Sequence, residues 1–159
     1  MPPATVYATQ DSITGASTPA EAVPVLDFDG GSTDEHIDFY GVLPQHYAGG
    51  GLTLTFVWSA SSATTGDVRW GAAFRRIVDD AEDLDSTAFT YDYNEGNDTT
   101  ASAVGEVSYF NITFTDGADM DSLAAGEAFI LRVRREASDT GNDTMSGDAE
   151  LHWVHVKET

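Results

Sequence analysis

Apolar and polar residues alternate along most of this chain, and the alternation has a period of two. Leu52, Leu54, Phe56 and Trp58 fall on one face of a run whose other face is Thr53, Thr55, Val57 and Ser59. Val68, Trp70, Ala72 and Phe74 alternate in the same way with Arg69, Gly71, Ala73 and Arg75. Successive side chains of a strand point to opposite faces, so such runs predict half-buried strands. The two read as a β-hairpin joined through the turn residues Ser61 to Gly66. The pattern recurs at Val23–Phe28, Ile37–Val42, Phe89–Tyr93, Val107–Phe114, Phe129–Arg134 and Leu151–Val156. Within the fourth of these, Tyr109 is out of phase with Phe110, Ile112 and Phe114.

Glycine, asparagine, aspartate and serine separate the runs, as in Gly30-Gly31, Gly49-Gly50-Gly51 and the repeated Gly-Asn-Asp-Thr at 96–99 and 141–144. The repeat is reused turn chemistry, because the spacing around it differs. Met120, Leu123 and Ala124 have helical spacing sufficient for one or two turns. No helical pattern is longer. About eight short strands with such turns predict an all-β fold, an antiparallel β-sandwich of jelly-roll type. Residues 1–21, rich in Pro, Ala, Ser and Thr, are expected to form an N-terminal arm with a short strand over Val6–Ile13. Residues 22–159 are expected to form a single sandwich domain, a length that supports one substantial core.

Charge changes this picture. The chain carries 27 acids against 7 bases, a net charge of -20. Such a surface repels nucleic acid and anionic lipid and is best tolerated in salty water, which screens self-repulsion. Its distribution is uneven. The bases lie in or beside predicted strands, whereas acids crowd the turns at 27–38, 79–85, 116–121 and 139–148. Arg69, Arg75, Arg132 and Arg134 therefore mark a sheet face or edge that pairs with carboxylates, within the subunit or across an interface. Protection of strand edges by basic residues explains the same placement.

Little else points to chemistry. Without cysteine there is no disulfide, thiolate metal site or thiol nucleophile. No apolar run is long enough to span a membrane, and the first 20 residues lack the basic and apolar blocks of a secretory signal. The acidic clusters lack the order of an EF-hand loop. His152 and His155, three apart in a strand, are expected on opposite faces and so cannot share a zinc ion. There is no Gly-x-Ser-x-Gly elbow, and Gly49-Gly50-Gly51 is not followed by the Lys-Ser/Thr of a phosphate loop. No catalytic residue, cofactor-binding residue or metal ligand is assigned, and no cofactor is expected. Most aromatics belong to the predicted core. Tyr91, Tyr93 and Tyr109 are the candidates for a face on which sugar rings stack.

Five segments together carry a resemblance: Gly41–Tyr47, Gly49–Leu54, Ser62–Trp70, Asp83–Asp85 and Asn142–Leu151. They resemble small β-sandwich virion proteins of tailed bacteriophages, particularly marine ones, over most of the chain after Val23. The resemblance implies a non-enzymatic capsid decoration (cement) protein, made in the host cytoplasm and bound to the outer surface of the head. Its partners would be the major capsid protein and copies of itself, as a homotrimer. The alternative implied is a tail or fibre module that binds carbohydrate or a receptor.

Overall fold

The structure is a computed structural model and describes residues 6–159. Its strands are β1 (Thr9–Thr14), β2 (Ala22–Phe28), β3 (Glu35–Val42), β4 (Leu52–Ala60), β5 (Asp67–Ile77), β6 (Asn94–Thr99), β7 (Ser108–Phe114), β8 (Ala128–Arg135) and β9 (Ala149–Glu158). A single 3-10 turn, Ala118–Met120, stands where helical spacing was expected. The strands form two sheets, ordered β1-β2-β9-β4-β7 and β3-β8-β5-β6, with every ladder antiparallel. Eight strands, β2 to β9, thus alternate between two four-stranded layers in the order of a jelly roll, and β1 is added at one edge.

β4 and β5 do not form the hairpin that their alternation predicts. They lie in different sheets, and Ser61–Gly66 is the crossover between layers. The reason lies in their apolar faces. Both runs carry large aromatic rings, and these bury best against each other across the core. Trp70 stacks on Phe56 at 5.5 Å and meets Trp58 edge-on at 6.0 Å and Phe28 at 5.2 Å. Phe74 meets Phe114 at 4.9 Å and Phe129 at 5.3 Å in the same manner. Such pairs add to the stabilisation from burial alone. A polar bond also crosses the layers, from the Trp58 indole N–H to the Asp98 carboxylate on β6 at 2.8 Å. Burial raises the pKa of Asp98, and this bond opposes the rise.

The segment read as an arm is folded back on its own chain. β1 pairs with β2 from Thr9↔Asp27 to Thr14↔Ala22. Just before β1, Tyr7 forms an isolated bridge with His36 of β3, so the segment passes from one sheet to the other. Residues 1–5 of the expected arm lie outside the described residues.

One buried cation fixes the lower end of the sandwich. Arg135, at the end of β8, is 0% exposed. Its guanidinium donates to both Asp143 carboxylate oxygens at 2.9 and 2.8 Å. It also donates to the carbonyls of Phe28, Gly147 and Met145 at 3.1, 2.7 and 2.8 Å. Asp143 Oδ2, which accepts Arg135 Nε, also accepts the Arg69 amide of β5 at 3.0 Å. An isolated buried charge is expensive, so this arginine is tolerable only because every N–H is satisfied. Met in place of Arg135 keeps the length and removes all five bonds, leaving Asp143 buried without its partner. Loss of one member of such a pair costs roughly 3–5 kcal/mol. Arg135→Met should lower the midpoint of thermal unfolding by about 10 °C, followed by circular dichroism, and Arg135→Met with Asp143→Leu should recover part of the loss.

Candidate functional site

The two sheets present very different outer faces. On the four-stranded sheet, the alternation of β5 and β8 brings Arg69, Arg75, Arg132 and Arg134 to the outer face, where Arg75 is buried beneath other side chains. Each is held by carboxylates of the same chain. Arg132 binds Asp38 with two bonds of 2.7 Å. Arg69 meets Glu95 and Glu136 at 2.7 Å and Asp139 at 3.3 Å. Arg134 pairs with Glu95, with Glu136 at 2.9 Å and with Asp34 at 3.6 Å, and Arg75 pairs with Glu82 at 2.7 Å. The patterned charge seen in the sequence is thus matched within the subunit.

The segment expected as an aromatic strand, Phe89–Tyr93, is not one. It lies across this face as a strap, part of the long β5–β6 connection. Phe89, Tyr91 and Tyr93 sit under the guanidinium groups of Arg75, Arg132 and Arg134 at 5.0, 4.0 and 3.8 Å. Rings on every second residue of the segment match Arg134 and Arg132 on β8 and then Arg75, which β5 places opposite Ile130 of β8, so the register is set by cation–π contact instead of ladder bonds. Burial raises the pKa of both Tyr91 and Tyr93. Tyr109 is far from this strap, on β7 of the other sheet. The structure therefore does not bring the three candidate tyrosines together.

The five-stranded sheet leaves its outer face open. Val57 on β4 is paired with Tyr109 on one side and Trp153 on the other, so the three form one row across β7, β4 and β9. Tyr109 is 67% and Trp153 55% exposed, whereas Val57 between them is 1% exposed. Two strand spacings put the flanking residues about 9–10 Å apart. The next row holds Asn111, Thr55 and His155, with the Thr55 hydroxyl donating to the Asn111 side-chain oxygen at 2.6 Å.

A register shift between Val57 and Trp58 makes this arrangement possible. Trp58 pairs with Leu151 and Val57 with Trp153, so His152 is an extra residue, a β-bulge. The His152 ring lies 3.0 Å from the hydroxyl of Ser59 and 5.8 Å, edge-on, from the Trp153 ring. His152 and His155 therefore share the outer face, contrary to simple alternation. Burial lowers the pKa of His152. Trp153, which alternation with Leu151 assigned to the core, is turned outward by the same bulge. A bulge leaves no mark in the periodicity, whereas the phase of Tyr109 was visible.

At the end of the sheet that Arg135 anchors, the surface becomes acidic. Asp27 is paired with Glu150, and Asp11 and Asp148 lie nearby. Burial and these carboxylates push the Asp27 pKa up to about 6, and burial raises Glu150 as well. Among the described residues, no three His, Asp or Glu side chains are grouped to hold a metal ion.

The side of the sandwich is incomplete. β2 pairs with β9 only over Leu26–Phe28, opposite Leu151–Ala149. Beyond that, Pro24 offers no N–H for another rung and the bulge shifts the register. The hairpin of β1 and β2 consequently parts from β9. A cleft remains between β9 and β3, with a cavity of about 360 Å³ lined by Leu26, Phe39, Phe129, Leu131, Val154 and Val156.

The chain matches no family model and no curated protein. Among solved structures it is similar to that of TmCBM61 in complex with β-1,4-galactotriose, with 98% of this chain and 92% of the other covered, 10% identity and a TM-score of 0.44.

Asp27 yields a pH prediction. Its folded pKa, about 6, lies above its ordinary value of 3.8, so folding favours the protonated form. The contribution to stability is complete below the ordinary value and is lost as pH rises through about 6. Asp27→Asn should therefore raise the unfolding temperature by a few degrees at pH 7.5 and leave it nearly unchanged at pH 4, as calorimetry at the two pH values would read.

Proposed function

We propose that this protein is a non-catalytic glycan-binding module whose ligand lies on the outer face of the five-stranded sheet. The observation that carries this reading is the row Trp153–Val57–Tyr109, two exposed rings flanking a low, buried position. The C–H face of a pyranose is apolar and packs flat on such rings, while its hydroxyls need donors and acceptors at the edge. Asn111, Thr55 and His155 supply these in the adjoining row. Trp and Tyr are rigid, so little side-chain entropy is lost on binding. The net charge of -20 favours neutral over anionic glycans. The tyrosines that bind are then not the pair at Tyr91 and Tyr93, which stack on arginines of their own sheet.

A second reading is a capsid decoration protein of a tailed phage, suggested by the sequence resemblance. It is favoured by the unfilled cleft beside β9, which offers an attachment surface that meets the aromatic row only at Trp153. The two readings are compatible in a virion, where an attached module displays its open sheet outward.

A glycan array should give hits among neutral saccharides, and a blank array would remove the glycan reading. Trp153→Ala and Tyr109→Ala should each weaken binding several-fold, up to about tenfold, from the loss of a stacking contact of about 0.5–1.5 kcal/mol. Tyr91→Ala should leave calorimetric affinity unchanged. Mass spectrometry and antibody labelling of purified particles would test the second reading, which fails if the protein is absent from them.

A further inference from the structure

The cleft between β3 and β9 is bounded by two strand edges without ladder partners. Among the described residues, β9 from Trp153 to Glu158 is paired on one side only, to β4. β3 from Ile37 to Val42 is bonded on one side only, to β8. In a complete jelly roll, β2 would cover this gap, because it is the neighbour of β9. Here it stops at the bulge, and the interior is left open.

The floor is apolar, and the rim is equally unlike a finished surface. Phe39 and Phe129 approach from the four-stranded sheet, and Val154 and Val156 from β9. The Phe129 ring lies where a side chain at position 41 would be, so Gly41 allows it to reach the opening. Tyr40, Val42, Trp153 and Val156 are all large, exposed apolar residues around this one opening. Natural edge strands are usually blunted by charge, proline or a covering loop. Along the free stretch of β9, from Trp153 on, only Lys157 and Glu158, at its very end, do so.

We infer that this slot takes up an extended segment of another protein, which adds as a strand antiparallel to β9, with apolar residues at alternate positions and lysine or arginine at the end that meets Asp27. Three observations define that occupant. First, the ladder is already begun, since β2 pairs antiparallel with Ala149–Leu151 and an added strand continues it along the free edge. Second, free main-chain N–H and C=O groups on the edge ask for a backbone, which a small apolar molecule does not offer. Third, one end of the slot is acidic. Asp27, Glu150 and Asp148 stand at the end where β2 leaves, whereas at the other end Glu158 lies beside Lys157 and already accepts the amides of Ala48 and Gly50. All six arginines are paired within the chain and Lys157 is at the far end, so the cations that complement the Asp27 end come from outside. A second copy, with the same charge of -20, is a poor source of such a strand.

This site meets the aromatic row at Trp153 but lies along the free edge of β9, and its test reads main-chain protection and not sugar binding. The probe is a synthetic peptide of alternating valine and threonine with lysines at the end that meets Asp27, added to the whole chain. In the free protein, the β9 amides that point away from β4 should exchange rapidly with deuterium. With peptide they should slow at least tenfold, and affinity should fall as salt is added. A peptide with proline at its centre, or with glutamate in place of these lysines, should bind at least tenfold more weakly. Val156→Lys, at an already exposed position, should weaken binding to the same degree while leaving the circular dichroism spectrum unchanged. The proposal is overturned if the free-edge amides are already protected without peptide. It is equally overturned if the proline peptide binds as well as the parent, or if sedimentation shows that a second copy fills the slot.

Discussion

Everything at the closed end of this sandwich hangs on the guanidinium of Arg135. It is the point at which β8, the end of β2 and the connection from β8 to β9 meet. A hydrophobic side chain there would join the layers but would not specify the loop, because apolar contact has no direction. Five directed bonds do specify it. They fix the carbonyls of Met145 and Gly147, and through them the point at which β9 enters the sheet. Asp143 carries the constraint on to β5 through the Arg69 amide, so one ion pair sets the spacing of both sheets. Gly30 and Gly147 are part of the same arrangement, since a side chain at position 30 would collide with the backbone of Gly147.

Much of the fold was legible in the alternation, because a period of two follows from local backbone geometry. The strand pattern at Leu52–Ser59 and at Val68–Arg75 survives almost residue for residue as β4 and β5. Their pairing was not legible. Alternation says which face is apolar, and it does not say which other apolar face covers it. Sequence proximity argued for a hairpin, whereas the aromatic rings argued for opposition across the core, and the rings prevailed. The same limit applies to Phe89–Tyr93, whose alternation reflects stacking on Arg75, Arg132 and Arg134 and not a ladder. Arg69 and these three arginines were visible as a group, but their partners were not: Asp38, Glu95 and Glu136 reach Arg132 and Arg69 from distant parts of the chain, and Glu82 reaches Arg75 from the connection that follows β5. Tyr109 was identified by its phase. Trp153 was not, because a single extra residue at His152 reverses the phase that follows it.

The molecule is asymmetric in what it offers to others. The four-stranded sheet has closed its own face with salt bridges and an aromatic strap, and surface ion pairs of this kind set geometry more than they add stability. The five-stranded sheet keeps an aromatic row uncovered, and the side of the sandwich keeps a cleft. An exposed row and an open edge are liabilities for a chain that has no partner. Their coexistence with an opposite face closed by ion pairs and stacked rings is consistent with the recognition role proposed for these surfaces.

The position of β9 has a consequence for how this molecule persists. β9 lies between β2 and β4, so it completes a sheet with strands far earlier in the chain. Neither neighbour can substitute for it, and the contacts that it makes close very long loops. Chains dominated by such non-local pairings cross a high barrier slowly in both directions. Once assembled, the sandwich should open seldom, and resistance to proteases would then be governed by the rate of unfolding more than by its equilibrium. For a cysteine-free protein carrying so much uncompensated charge, durability of this kinetic sort replaces what a disulfide would otherwise provide.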